Sequence, residues 1–177
     1  MVMITKTMRV ACTPPLNRRP FAVSMDEIYA RPGHLIRRAQ QIAVAIFMEE
    51  TAGCDVTPVQ YAALVAIREH PDVDATRLSA LIAFDRSTLG RVLDILERKG
   101  LMLRRAAGND RRVKLLRVTE AAVARLNTMA PGVERAQARI LGPLPPGQRA
   151  AFMRALERIV LTNNALSRAP LVAMVEE

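Results

Sequence analysis

From residue 24 onward the apolar positions fall into blocks with a period of about 3.6, interrupted once by a stretch of period two. Ser24-Met25-Asp26-Glu27 has the form of a capping box, which predicts a helix start. Arg31-Pro32-Gly33 interrupts that helix. Pro32 suits the first turn of a new one, where its missing N–H is not needed. Leu35, Ile36, Ala39, Ile42, Ala43, Ile46 and Phe47 then recur at helical spacing as far as Thr51-Ala52-Gly53. Thr57-Pro58-Val59-Gln60 repeats the start signal, for a helix that runs to about His70, its C-terminal cap, before Pro71. Asp74 or Thr76 caps a short helix bearing Leu78, Leu81 and Ile82. Asp85 caps the next, with an inner stripe of Leu89, Val92, Leu93 and Leu96, and Gly100 terminates it.

The period then changes. Leu101, Leu103 and the segment Val113–Val118 predict two strands around a hairpin turn at Ala107-Gly108-Asn109-Asp110. Thr119 caps a further helix, in which Pro131-Gly132 predicts a kink or break. Gly142-Pro143-Leu144-Pro145-Pro146-Gly147 is turn chemistry. A last helix is expected from about Gln148 to Ser167, with Phe152, Leu156, Ile159 and Val160 on its inner face. The fold class is therefore mainly α with a small β wing: a helix-turn-helix followed by a hairpin, flanked by terminal helices. Those terminal helices carry apolar faces that the compact middle cannot cover, and a second copy of the chain is the expected cover. The expected organisation is a flexible N-terminal arm (1–24), an N-terminal dimerisation helix (25–56), a helix-turn-helix and wing lobe (57–118) and C-terminal dimerisation helices (119–177).

Composition sharpens this picture. Half of the 177 residues are hydrophobic but only 3% are aromatic, with no Trp, which suits packed helices better than a β-sandwich. The net charge is +9, and residues 86–117 hold ten Lys and Arg against three Asp and Glu, leaving +7 there. So concentrated a charge points to an anionic partner: nucleic acid, an anionic membrane surface or an acidic protein. A helix for the major groove followed by a basic hairpin favours the first. Apolar runs fall short of the roughly 18 residues of a membrane span, so no membrane association is expected. The first 25 residues contain no Asp or Glu and carry Lys6, Arg9, Arg18 and Arg19, without the apolar stretch of a secretory signal. Cys12 and Cys54 form no metal or redox spacing and fit a reducing, cytoplasmic setting. With no Gly-rich nucleotide loop and no HExxH motif, neither an enzyme nor a cofactor or metal is expected.

Asp110-Arg111-Arg112 at the wing turn, Lys114, and the run Leu115-Leu116-Arg117-Val118-Thr119-Glu120 together resemble the MarR family of bacterial regulators. Leu93 and Leu96-Glu97 leading to Gly100-Leu101 are similar to the exit of that family's recognition helix. The likeness spans roughly residues 30–165, with Ala121-Ala122 where the family often has Gly. It implies a winged helix-turn-helix homodimer on palindromic double-stranded operator DNA. The DNA-binding residues it implies are Arg86, Ser87, Thr88 and Arg91 at the front of the recognition helix, with Arg111, Arg112 and Lys114 on the wing. Asp110 would brace a wing arginine.

Tyr29 through Arg38 is similar to the branch of these repressors that controls breakdown of aromatic and N-heteroaromatic acids, nicotinate included. That likeness implies a small aromatic carboxylate effector, held between the dimerisation helices and the winged lobe. His34, Arg38 and Gln41 share one helix face and form the candidate ligand set: Arg38 for the carboxylate, His34 as a second donor, Gln41 for a ring substituent. Two rival readings are a redox sensor acting through Cys12 and a DNA-binding protein without a ligand.

Overall fold

The computed structural model describes residues 23–107 and 113–172. Its elements in chain order are α1 (Met25–Ala30), α2 (Pro32–Glu50), α3 (Pro58–Glu69), β1 (Val73–Asp74), α4 (Ala75–Leu81), α5 (Arg86–Arg98), β2 (Met102–Ala106), β3 (Lys114–Val118), α6 (Glu120–Leu141) and α7 (Pro146–Thr162), then a 3-10 turn at Asn164–Leu166. The chain divides into two compact units at residues 41/42, within the length of α2.

The predicted starts are built from local hydrogen bonds. The Ser24 hydroxyl accepts from the Glu27 N–H and the Glu27 carboxylate accepts from the Ser24 N–H, each at 3.2 Å. Thr57 and Gln60 repeat the arrangement at α3. Asp74, rather than Thr76, caps α4, its Oδ1 taking the N–H groups of Thr76 at 2.7 Å and Arg77 at 3.0 Å. Asp85 caps α5 in the same way, through Ser87 and Thr88. Gly100, at φ +67°, reverses the chain after α5 in the left-handed region that only glycine enters without strain.

The core lies in the second unit. Leu64 and Ile67 of α3, Leu78 of α4, Leu89 and Leu96 of α5, Met102 of β2, Leu116 of β3 and Met129 of α6 are essentially inaccessible to solvent. Truncating any one of these to Ala removes buried volume worth about 2–5 kcal/mol. The strands form an antiparallel sheet in the order β1-β3-β2, with Arg104 opposite Leu116 and Val73 opposite Leu116 on its other side.

The structure departs from expectation at four places. The two-stranded wing is joined by a third strand, β1, too short to show any period. Met102, not Leu103, carries the inward face of β2, and Leu103 is exposed. Of the kink or break expected at Pro131, the break does not occur: the helix begun by Thr119 runs on through it, with Met129, Gly132 and Ala136 buried on one side. A Cβ on Gly132 would come within 2.4 Å of the Glu50 carbonyl oxygen, so this glycine permits close approach of the end of α2. Finally, α7 ends at Thr162 and has no fully buried residue: of the stripe expected to face inward, Phe152, Ile159 and Val160 are exposed and Leu156 is half-buried.

Candidate nucleic-acid interface

The capping carboxylate of Asp85 fixes where α5 begins, and the burial of Leu89, Val92, Leu93 and Leu96 fixes which way it faces. On its first two turns this leaves the side chains of Arg86, Ser87, Thr88 and Arg91 outward, all exposed, with Asp94, Glu97 and Arg98 exposed further along. The structure thus gathers these four predicted residues on the first two turns of one helix. Ser87 is partly engaged, since its hydroxyl donates to Asp85. That bond, the backbone N–H groups of Thr88 and Ser87, and the field of Arg168 hold the Asp85 carboxyl below the usual carboxylate range. The cap therefore stays ionised, and its charge favours the positive end of the helix.

Beside α5 stands the wing, with Lys114 exposed at the start of β3. Asp110, Arg111 and Arg112 lie outside the described residues. Between α4, α5 and the wing is a cleft of about 470 Å³, lined by Arg77, Arg86, Gly90, Lys114, Val113 and others. Three of the cations that make the stretch 86–117 basic are neutralised by carboxylates. Arg104 reaches Asp94 at 2.8 Å and Glu97 at 2.7 Å, tying β2 to α5. Arg117 Nε donates to Asp72 at 2.6 Å, tying β3 to the turn after α3. Lys99 meets Asp55 at 2.8 Å. Arg86, Arg91 and Arg98 have no ion pair among the described residues. The count of charge in the sequence thus overstates what faces outward. The ion pairs span up to 45 residues and leave no local signal.

The other candidate residues lie on α2, in the first unit. Arg38 donates to the Gln41 side-chain oxygen at 2.8 Å, so two of the three come together. His34 instead meets Arg37, Nδ1 to guanidinium at 3.5 Å, and its ring lies 5.2 Å from that of Tyr29. Arg37 and Tyr29 were within reach of the sequence, since both share the α1–α2 segment with His34. Cys12 lies outside the described residues. Cys54 is a free, buried thiol in the hydrophobic core. Among the described residues no cluster of His, Cys, Asp and Glu could hold a metal ion, and no helix is long and apolar enough to cross a membrane.

Residues 56–114, from the start of α3 to the wing, match the model of the MarR family. The HTH-type transcriptional repressor NicR of Pseudomonas putida is 27% identical over 146 residues, covering 82% of this chain and 89% of its own. The transcriptional repressor CouR, solved bound to a 23-mer DNA duplex, superposes with a TM-score of 0.69 at 27% identity, covering 78% of this chain and 98% of its own. Bordetella bronchiseptica BpsR, solved in a study of regulation of its DNA binding by 6-hydroxynicotinic acid, gives a TM-score of 0.68 at 28% identity, covering 74% and 94%. With the capped helix, the basic outward face and the wing in place, the chain carries a MarR-family winged helix-turn-helix domain and is a DNA-binding transcription regulator of the MarR type.

Proposed function

We propose that the protein is a cytoplasmic homodimeric repressor that binds a palindromic operator and leaves it when a small aromatic carboxylate binds, a hydroxylated nicotinate being the favoured effector. The observation that carries this reading is α5 itself: its inner face is wholly buried, while Arg86, Ser87, Thr88 and Arg91 point outward beside a wing. Arg86 and Arg91 can each donate two bonds to a guanine edge or meet a phosphate, and the hydroxyls add shorter-range contacts. Arg111, Arg112 and Lys114 supply the wing cations, with Asp110 bracing one of them.

Dimerisation is supported by the exposed apolar stripe of α7, Phe152, Ile159 and Val160, each about half accessible in the single chain. A dimer would present its two recognition helices about 34 Å apart, one turn of DNA. The effector reading rests on the likeness to BpsR, whose DNA binding is regulated by 6-hydroxynicotinic acid, and on the side chains of α2: Arg38 for a carboxylate, His34 for a ring nitrogen or hydroxyl, and Gln41 for a substituent. An effector that prefers the non-binding shape by about 2–3 kcal/mol would weaken operator binding roughly 30- to 150-fold.

The test is fluorescence anisotropy of a labelled duplex, enriched from a random library by the protein, titrated with 6-hydroxynicotinate, nicotinate and benzoate. Release by the hydroxylated acid at concentrations where benzoate does nothing supports the effector reading. Binding that no aromatic acid disturbs leaves a ligand-independent DNA-binding protein, and binding lost only after mild peroxide points instead to Cys12.

A further inference from the structure

Two helices carry a glycine in their interior, away from the first turn: Gly90 in α5 and Gly132 in α6. Glycine is the least favourable residue there after proline, so each position asks for a reason. Gly132 has one within the fold, since the Glu50 carbonyl lies where its Cβ would be. Gly90 has none. Apart from its chain neighbours and the adjoining backbone of α5, no atom of the described residues lies within 4 Å of the position its Cβ would take, and its φ is not in the left-handed region. The fold would gain from an alanine at residue 90.

Gly90 sits one turn beyond Arg86 on the flank of α5 that faces the wing, and it lines the cleft there. Arg77, Arg86 and Lys114 surround that cleft. The one carboxylate among the described residues of its lining, Asp74, has its Oδ1 occupied by two backbone N–H groups as the cap of α4. A helix lying in the major groove and a wing reaching the adjacent minor groove straddle the one sugar–phosphate strand that separates the grooves. The space between α5 and β3 is where that strand must run.

We propose that Gly90 is the point of closest approach between the recognition helix and the DNA backbone, kept free of a side chain so that a sugar–phosphate segment can enter the cleft between Arg86 and Lys114. This rests on the DNA-binding reading and adds to it a residue with no charge and no hydrogen-bonding side chain. It also separates fold from function: at residue 90 the two ask for opposite substitutions.

The experiment uses the full chain with Gly90→Ala and Gly90→Leu, read by thermal melting and by anisotropy on two duplexes, one enriched by the wild-type protein and one of scrambled sequence. Gly90→Ala should melt a few degrees above wild type, while its affinity for both duplexes falls by a similar factor, about tenfold, and further for Gly90→Leu. Affinity equal to or above wild type for Gly90→Ala overturns the proposal. So does a loss confined to the enriched duplex, since the side chain would then be meeting a base edge. If the wild-type protein enriches no duplex, the DNA-binding reading itself falls, before any variant is compared.

Discussion

Helices α5 and α7 are incomplete in opposite senses. The 13 residues of α5 bury Leu89, Val92, Leu93 and Leu96 in their own chain and leave cations outside. The 17 residues of α7 bury no side chain fully and leave Phe152, Ile159 and Val160 in the open. In the proposed reading a polyanion completes one surface and apolar area the other, so the two should answer differently to the same perturbations. Salt weakens the first by screening and counterion competition and does not weaken the second. Burial, rather than the amount of charge or hydrophobicity, is what separates a face that holds the fold from a face that meets a partner.

The largest expected effect comes from α7. Ile159→Glu combined with Val160→Glu places four charges in a two-fold contact and should give monomers by analytical ultracentrifugation, with operator affinity down about a hundredfold or more as bivalency is lost. A dimer that persists would remove α7 from the interface. Next come Arg86→Ala and Arg91→Ala, each expected to weaken DNA binding about tenfold in the anisotropy assay while leaving the melting temperature and the dimer intact. Equal affinity in both variants would take the outward face of α5 out of the interface.

A smaller effect is expected from an arginine that serves the fold. Arg117→Gln breaks the exposed pair with Asp72 and should move the midpoint of chemical denaturation only slightly, with DNA affinity within about twofold of wild type. The same pairs set the response to acid. Hydrogen bonds from Arg117 hold the Asp72 carboxyl below its usual range, and those from Arg135 and then Arg139 do the same for Glu50. Because these folded-state values are depressed, their contribution is complete above the unfolded carboxylate value of about 4 and is lost as pH falls below it through the folded values. Melting temperature should therefore be flat from pH 7 to 5 and fall below about 4, with a shallower fall in Asp72→Asn.

Much of the fold was legible because its signals are local. Ser24 with Glu27, Thr57 with Gln60, Asp85 and Thr119 each announce a helix within three residues, and Gly100 announces an end. The buried stripe of α5 was legible from its spacing, while Arg86, Ser87, Thr88 and Arg91 were named by the family likeness and lie exposed outside that stripe. What escaped the sequence depends on partners far along the chain. Strand β1 exists only because Val73 and Asp74 pair with Leu116 and Leu115. The role of Gly132 requires Glu50 beside it, and Arg104 and Arg117 read as free charge until their carboxylates are located. Gly90 was legible in principle, as a glycine inside a strongly patterned helix, but its meaning needed the empty space around it.

The central claim, that α5 and the wing meet DNA through cations while α7 meets its own copy through apolar area, is tested most directly by one salt series. Operator affinity and the dimer constant are measured together between low and moderate salt. If the dimer contacts about eight phosphates, the logarithm of the DNA affinity should fall with a slope near −7 against the logarithm of salt, while the dimer constant stays level or tightens. A DNA slope near zero, or a dimer that dissociates in step with the DNA, would contradict the account.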